Sequence, residues 1–285
     1  MQNVEFIKSL NGHSGCGLNL YKQEEILFLR KDSGNPEYNR RLKKQFIKQN
    51  KFSLLGIKTP KVFNYGQENG LFYFDMEFLN GVTLAEYMAN IKIKEINSLI
   101  SLLFKSLPVQ TSIKNADADT IFKKKISQIK KQLRPSDTEA LQAVKILENF
   151  DFSNVPYSYC CGDLTLENIM LDDNKQIYLI DFLDSFYNSW MIDIAKLLQD
   201  LELHWSYRHQ NIDFNLAMRL AVAKEALLEN IAEYGNAHKN IITIYHILLL
   251  NMLRIIPYAK DNKTHDFLKS ALNKIMFNIQ TLESN

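Results

Sequence analysis

The sequence predicts an α+β fold with two lobes, a small antiparallel sheet in residues 1–80 and a mainly helical region in residues 81–285. Three observations lead to this prediction. Short apolar runs alternate with turn sequences up to residue 80, and apolar residues recur at helical spacing beyond residue 81. The length of 285 residues is also enough for one large unit or for two lobes with a cleft.

The first lobe is predicted to begin with three strands joined by turns. The strands are EFIKSL, LNLY and ILFLRK, and the turns between them are NGHSGCG and KQEE. A basic segment follows from Asn35, in which Leu42 and Phe46 stand at helical spacing, so we expect one helix there. Residues 61–65 and 71–78 flank the turn GQENG, which predicts a hairpin that completes the sheet.

The second lobe is predicted to be mainly helical. Thr83 and Glu86 have the spacing of a capping box at a helix start. From Ile242 to Pro257 apolar residues recur every three or four positions, which indicates a helix buried in this lobe. Because His246 interrupts the run, we expect a core helix there and no membrane span.

Composition and charge exclude several classes of protein. With 34 Lys and Arg against 32 Asp and Glu, the formal charge of +2 is too balanced for a protein that neutralises phosphate backbones, so we expect no nucleic-acid partner. Three cysteines, two of them adjacent, cannot build a disulfide framework or a four-ligand zinc site. The amino terminus lacks the pattern of a secretion signal, so we expect a cytoplasmic protein with no membrane partner. Its oligomeric state is open.

The stretch from Tyr159 to Asp184 carries the side chains best suited to chemistry. Asp163 and Asn168 lie five residues apart in a predicted tight loop, and Asp181 follows the apolar run IYLI. Phosphoryl transfer needs such a set, a carboxylate that orients and deprotonates the attacking hydroxyl and oxygen ligands for Mg²⁺. The alternative is plain turn chemistry, since Asp and Asn are common turn residues, but the strand context and the spacing together favour a site.

The motif G-D-L-x-x-x-N followed by I-D-F-x-D resembles the catalytic and metal loops of the aminoglycoside phosphotransferase and choline kinase family, relatives of the eukaryotic protein kinases. Asp193-Ile194-Ala195, twelve residues after Asp181, is similar to that family's Asp-Leu/Ile-Ala. The order of sheet lobe, hinge and helical lobe matches as well. The resemblance therefore implies a two-lobed protein-kinase-like fold, with Asp163 as catalytic base, Asn168 and Asp181 as Mg²⁺ ligands, and ATP as the phosphoryl donor.

The same resemblance indicates where the nucleotide phosphates lie. Gly12, Gly15 and Gly17 stand where the kinase-like fold covers the phosphates with a flexible turn, although an ordinary hairpin turn explains them almost as well. A basic residue of the third strand is expected to pair with the phosphates. Arg30 and Lys31 face opposite sides of that strand, so only one can do so. We prefer Arg30, since L-F-L-R is similar to the choline kinase version of this strand, and keep Lys31 as the alternative.

The hinge between the lobes is predicted at Met76–Leu79. Here the backbone of Glu77 and Phe78 could pair with the edge of the adenine ring, and apolar side chains could enclose the ring. The alternative is simply the last strand of a sheet. Adenine is expected, and guanine stays open.

Four residues of the second half are predicted to contact the acceptor, because the family's acceptor lies near the loop after the metal-binding Asp and in later helices. They are Asp184, Tyr187, Trp190 and Trp205. Aromatic faces with a carboxylate suit a quaternary ammonium, as in choline, and suit a sugar equally well. The predicted function is transfer of the γ-phosphoryl group of ATP to a hydroxyl of a small metabolite, an amino alcohol or a sugar.

Two positions depart from the family pattern. Cys161 stands where most members have a His, and a thiol is a weaker hydrogen-bond partner for bracing the loop. The acid expected to pair with the third strand's cation is replaced by Gln45, which could hold that cation only by a hydrogen bond. These departures motivate an alternative function, a nucleotide-binding pseudokinase that acts as a scaffold. A nucleophilic Cys161 is a further alternative, although no His and Asn partner set is evident.

Overall fold

The computed structural model describes residues 4–10, 15–259 and 261–284, which form two compact units. The first unit comprises the chain up to residue 83 together with 168–184, and the second comprises residues 84–167 and 185–285. The boundary after residue 80 that we expected from the sequence assigns 168–184 to the second lobe. The difference arises because this later segment forms strands that pair with strands of the first unit.

The first unit consists of nine described strands and one α-helix. In chain order these are β1 (Val4–Ser9), β2 (Gly17–Gln23), β3 (Ile26–Asp32), α1 (Asn39–Asn50), β4 (Ile57–Lys58), β5 (Val62–Glu68), β6 (Leu71–Glu77), β7 (Gly81–Thr83), β8 (Ile169–Asp172) and β9 (Ile177–Leu179). Five of the strands form an antiparallel sheet in the order β1-β2-β3-β6-β5. The predicted three strands, helix and hairpin are therefore confirmed.

Helix α1 packs on one face of this sheet and forms the core of the first unit. Leu42 and Phe46, the two apolar residues at helical spacing, are buried against Phe72, Phe74 and Met76 of β6. The three β6 residues alternate along the strand, so they share the face that meets the helix. Burial of these side chains stabilises the unit by roughly 1.5–3 kcal/mol each.

The remaining strands form a second, smaller sheet in the order β4-β9-β8-β7. β8 is antiparallel to both β7 and β9, and β4 runs parallel to β9. Ile169 pairs with Leu179 across the β8–β9 hairpin. This register brings the residue before β8 and the residues after β9 to the same end of the hairpin.

The second unit is helical in its described residues. Its helices are α2 (Leu84–Met88), α3 (Ile93–Ser106), α4 (Ala118–Lys130), α5 (Thr138–Asn149), α6 (Trp190–Leu201), α7 (Phe214–Ala232), α8 (Ala237–Leu253) and α9 (Asn262–Ser284). The α+β fold class predicted from the sequence is confirmed, with an antiparallel sheet in the first unit and helices in the second.

Helices α6 and α8 form the centre of this unit. The span Ala237–Tyr258, which includes α8, is long and apolar enough to cross a membrane by length and composition, but 67% of its most apolar window is buried inside the fold, as is typical of a core helix. Eleven of the twelve residues of α6 are buried, among them the charged residues Asp193 and Asp200. A buried charge needs hydrogen-bond partners, so these two carboxylates are expected to bind donor groups of neighbouring segments.

Candidate active site

The β8–β9 hairpin positions the two predicted metal ligands in the first unit. Asn168 directly precedes β8 and Asp181 follows β9 after one residue. The backbone N–H of Ile180 donates to the carbonyl oxygen of Asn168 at 3.0 Å, which ties the two ends of the hairpin together. An amide oxygen and a carboxylate at one end of a hairpin are the hard oxygen donors that Mg²⁺ prefers, so this pair fits the ion.

Asp181 faces a buried cation. The ammonium Nζ of Lys31 lies 2.5 Å from Oδ1 of Asp181, and the Lys31 side chain is only 9% exposed. Asp181 also adopts a φ of +52°, which is uncommon for a residue other than glycine and marks a backbone held in place by its surroundings. The first unit thus places one cation and one carboxylate side by side, as required for binding phosphate groups and their metal ion.

Arg30, our preferred phosphate-binding residue, has other partners. Its guanidinium forms two hydrogen bonds to the Asp75 carboxylate, at 2.7 and 3.0 Å, and lies 4.0 Å from the centre of the Tyr73 ring. The hydrogen bond to Asp75 raises the pKa of Arg30 further. Because neighbours in a strand point to opposite faces, Arg30 faces away from the side that Lys31 shares with Asp181. The preference for Arg30 over Lys31 is therefore corrected.

The glycine turn is described in part. Gly12 lies outside the described residues. Gly15 has a φ of +70°, which other residues adopt at a cost, and a Cβ at Gly17 would collide with the carboxylate of Asp32. Local backbone conformation and packing thus explain why glycine stands at both positions. The contact of these glycines with nucleotide phosphates stays a prediction.

The predicted hinge residues stand at the end of β6. Glu77 is its last residue, and its backbone N–H donates to the carbonyl oxygen of Lys61 at 2.9 Å. That donor is therefore engaged within the sheet. Phe78 follows the strand and is half-buried, and its contact with the edge of a base stays a prediction.

The loop 161–166, which carries Asp163 and is the predicted catalytic loop, lies in the second unit and is held by α6. The backbone N–H groups of Cys161 and Gly162 donate to the two carboxylate oxygens of Asp193 at 2.8 and 2.7 Å. Further along the loop, the N–H of Leu166 donates to Asp200 at 2.6 Å. Asp193 and Asp200 are both 0% exposed. They anchor the loop by its backbone on either side of Asp163.

Asp200 is a fully buried carboxylate with a raised pKa. Burial raises its pKa to about 6, although the N–H of Leu166 and the N–H and hydroxyl of Ser206 all donate to it and oppose the rise. Because Ser206 belongs to the short helical turn Trp205–Tyr207, Asp200 links the catalytic loop to that turn. The sequence analysis did not identify this residue.

A third α6 residue reaches Asp163 itself. Nζ of Lys196 lies 3.0 Å from Oδ1 of Asp163. Asp193, Lys196 and Asp200 stand at positions i, i+3 and i+7 and therefore share one face of the helix. This spacing of charged residues in an apolar helix was a signal in the sequence, of which we used only Asp193.

The structure divides the four predicted acceptor residues. Tyr187 and Trp190 are each 3% exposed, and the Tyr187 hydroxyl donates to the carbonyl oxygen of Val155 at 3.0 Å. Both belong to the core of the second unit, where their large apolar area is buried, and we no longer assign them to the acceptor. Asp184 is tied to α1 by Lys44 at 2.8 Å. Trp205 is half-buried, with its ring 4.1 Å from the guanidinium of Arg208.

The two departures from the family pattern have different consequences. Asp193 braces the loop through the backbone at Cys161, so this contact does not depend on the side chain at that position. Gln45 is 3% exposed, and its Oε1 has no hydrogen-bond partner among the described residues. The expectation that this amide oxygen could hold the cation by a hydrogen bond is therefore wrong, because Lys31 pairs with Asp181 instead.

Solved structures with the same fold include three small-molecule kinases. One is a thermostable mutant of aminoglycoside phosphotransferase APH(4)-Ia in a ternary complex with AMP-PNP and hygromycin B, with 11% identity, a TM-score of 0.62, and coverage of 98% of this chain and 94% of that one. Another is a putative fructosamine-3-kinase from Haemophilus somnus 129PT, with 14% identity, a TM-score of 0.57, and coverage of 96% and 92%. The third is choline kinase LicA from Streptococcus pneumoniae, with 16% identity, a TM-score of 0.52, and coverage of 95% and 94%.

These identities are low, so the structural likeness shows the fold alone. No curated protein sequence matches the chain. The model of the phosphotransferase enzyme family, however, matches residues 26–234, which is well over half of the chain and includes Lys31, Asp163, Asn168 and Asp181. The chain therefore belongs to the phosphotransferase enzyme family.

Proposed function

We propose that this phosphotransferase transfers the γ-phosphoryl group of ATP to a hydroxyl of a small metabolite in the cytoplasm. The observation that carries the proposal is the pair formed by Lys31 and Asp181, with Asn168 at the same end of the β8–β9 hairpin. A buried ammonium, a carboxylate and an amide oxygen in one place match what a nucleotide phosphate chain and its metal ion require.

Each side chain of the motif has a role in this proposal. Asn168 and Asp181 would hold Mg²⁺, which neutralises charge on the phosphates when it is bound. Lys31 binds the phosphate oxygens, and Asp163 orients the acceptor hydroxyl and takes its proton. Positioning and charge stabilisation then account for most of the rate enhancement.

ATP as the donor is supported by a relative of the same fold, the aminoglycoside phosphotransferase that was solved with AMP-PNP. Phe78, half-buried directly after β6, is the hinge residue we assign to the base. The sequence contains no G-x-x-x-x-G-K-[ST] motif, so a Walker-type phosphate loop does not compete with this site.

The acceptor is less closely defined than the donor. The relatives are named for an aminoglycoside, a fructosamine and choline, compounds that carry a hydroxyl group and nitrogen. Arg208 already lies over the Trp205 ring. A second cation on that face would meet its charge, so this ring suits a sugar better than a quaternary ammonium.

The pseudokinase alternative is weakened by the way the loop is held. It was motivated by Cys161 and Gln45, yet Asp193 binds the loop backbone at Cys161, and Lys31 has a carboxylate partner in Asp181. Neither departure removes a contact on which the proposed site depends.

A screen of acceptors tests the proposal. The protein is incubated with Mg²⁺ and ATP and with aminoglycosides, sugars, ethanolamine or choline, and products are detected by mass spectrometry. We expect a phosphorylated product with the wild-type chain and only a small fraction of it with Asp163→Asn, whose amide cannot take the proton. Products formed equally by both chains, or ATP binding without transfer to any acceptor, would count against the proposal.

A further inference from the structure

Lys196 lies on the α6 face that holds the catalytic loop, between Asp193 and Asp200. Its ammonium is 3.0 Å from the Asp163 carboxylate, and the two side chains are 12% and 21% exposed. At this burial water screens the pair weakly, so the attraction between the two charges is stronger than in a surface ion pair.

The three charged residues of this face hold different parts of the loop. Asp193 binds the backbone at Cys161 and Gly162, and Asp200 binds it at Leu166. These contacts fix the path of the chain on both sides of Asp163 through its backbone. Lys196 contacts the carboxylate itself.

A lysine at this position is expensive for folding alone. Its side chain is only 12% exposed, so its ammonium gives up hydration on folding, and an apolar side chain of similar length would pack beside the buried residues of α6 without that loss. Its position is accounted for by what the charge does for Asp163.

We propose that Lys196 is a positioning residue for phosphoryl transfer. By binding one carboxylate oxygen it fixes the plane of the Asp163 carboxylate, so that the group meets the acceptor hydroxyl in the geometry that proton transfer needs. This role rests on the function proposed above, in which Asp163 is the base.

The test is a double-mutant cycle with the acceptor found in the screen. The chains compared are wild type, Lys196→Met, Asp163→Asn and the double mutant, and kcat and both KM values are measured for each. We expect Lys196→Met to lower kcat by about tenfold or more, with the KM for ATP changed by less than about twofold. In the Asp163→Asn background the same change should alter the residual rate by less than about twofold, because no carboxylate remains to be oriented.

Lys196→Arg provides the conservative control, since it restores the charge and should recover most of kcat. If Lys196→Met fails to fold, as judged by circular dichroism, Lys196→Gln takes its place in the cycle. An equal loss in both backgrounds would mean that Lys196 acts through packing and would overturn the proposal. The proposal would also be overturned if Lys196→Met left kcat unchanged while Asp163→Asn lowered it strongly. A wild-type chain that transfers phosphoryl to no acceptor refutes the proposed function itself, and this role with it.

Discussion

Arg30 and Lys31 are neighbours in the sequence, but strand geometry gives them different partners. Lys31 meets Asp181, whereas Arg30 meets Asp75 and the Tyr73 ring. We therefore expect Lys31→Met to raise the KM for ATP by at least about tenfold, because the variant lacks the cation that we propose binds the phosphate oxygens. Steady-state kinetics at saturating acceptor measures this change.

Arg30→Met is the matched control for Lys31→Met. It should leave the KM for ATP within about threefold and lower the free energy of unfolding by roughly 1–3 kcal/mol, since Asp75, 4% exposed, loses a charged partner. Urea denaturation measures the stability change. If Arg30→Met raises the KM as much as Lys31→Met does, our assignment of the two cations is wrong.

The sequence alone could not decide between these two residues. Alternation along a strand establishes that they face opposite sides, but it does not tell which side faces Asp181. That depends on the register of β3 with β6, in which Arg30 is opposite Asp75 and Lys31 is opposite Phe74. Pairing between strands distant in the sequence carries this information, and a single strand does not.

His246 shows a single-residue effect on stability. Burial, together with the nearby charge of Lys123, lowers the pKa of His246 to about 4, and the hydrogen bond to the Ile242 carbonyl oxygen only partly opposes this shift. The Glu283 carboxylate lies 3.7 Å away but is half exposed, so water screens its charge. Because the folded state binds the proton less readily than the unfolded state, the contribution of His246 to stability is present above pH 6.5 and is lost as pH falls through about 4.

Replacing this residue should flatten the acid side of the stability curve. His246→Phe keeps the stacking on Phe150, 3.7 Å between ring centres, and cannot titrate. Relative to this variant, the wild type should lose roughly 3 kcal/mol of unfolding free energy between pH 7.5 and pH 4. Urea denaturation of both chains across this range checks the difference, and parallel curves would contradict it.

At the level of secondary structure, α6 is the element on which the catalytic loop depends. Asp193→Asn keeps the size of the side chain but retains only one acceptor oxygen for the two N–H groups of Cys161 and Gly162. We expect a loss of about 2 kcal/mol in unfolding free energy and a fall of about a hundredfold in kcat, because one loop N–H is left unpaired and the loop shifts.

Gln199→Met is a control on the same helix. Gln199 is 1% exposed, and its Oε1 has no hydrogen-bond partner in the part of the chain that the structure describes. An apolar replacement should therefore leave stability and kcat nearly unchanged. If both variants lose activity to the same degree, α6 matters for packing only and not for holding the loop.

The sequence predicted which elements form better than it predicted which of their residues hold the loop or contact the acceptor. The loop motif around Asp163 and the later Asp193 were recognisable because their spacing is short and fixed. Lys196 and Asp200 carried a signal, their i+3 and i+7 spacing from Asp193, but a buried helix face and a solvated one look alike until packing is known. Tyr187 and Trp190 were assigned to the acceptor for the same reason, since an aromatic residue suits a core and a binding site equally.

At the level of the whole molecule, the fold is kept although few residues are shared with its relatives. Identities of 11–16% accompany coverage of at least 95% of this chain. The fold class was predictable because it depends on the pattern of apolar residues and turns, which many sequences satisfy. The acceptor was not, because it depends on individual side chains placed by that fold.

Nucleotide binding should stabilise the folded chain by mass action. At a hundred times its Kd, ATP with Mg²⁺ should raise the Tm by several degrees, about 3 kcal/mol in unfolding free energy. Asp181→Asn should remove most of the Tm increase that requires Mg²⁺. It should not change the Tm increase that the nucleotide gives without Mg²⁺. Differential scanning calorimetry with and without a chelator measures both parts. An equal shift in the two chains would show that Asp181 does not hold the ion.

The most direct measurement follows the γ-phosphorus of ATP by ³¹P nuclear magnetic resonance in the presence of the best acceptor. The account predicts a phosphate ester signal that grows with the wild-type chain and about a thousandfold more slowly with Asp163→Asn. It would be contradicted if phosphorus from ATP appeared only as inorganic phosphate, or if the ester formed at the same rate with both chains.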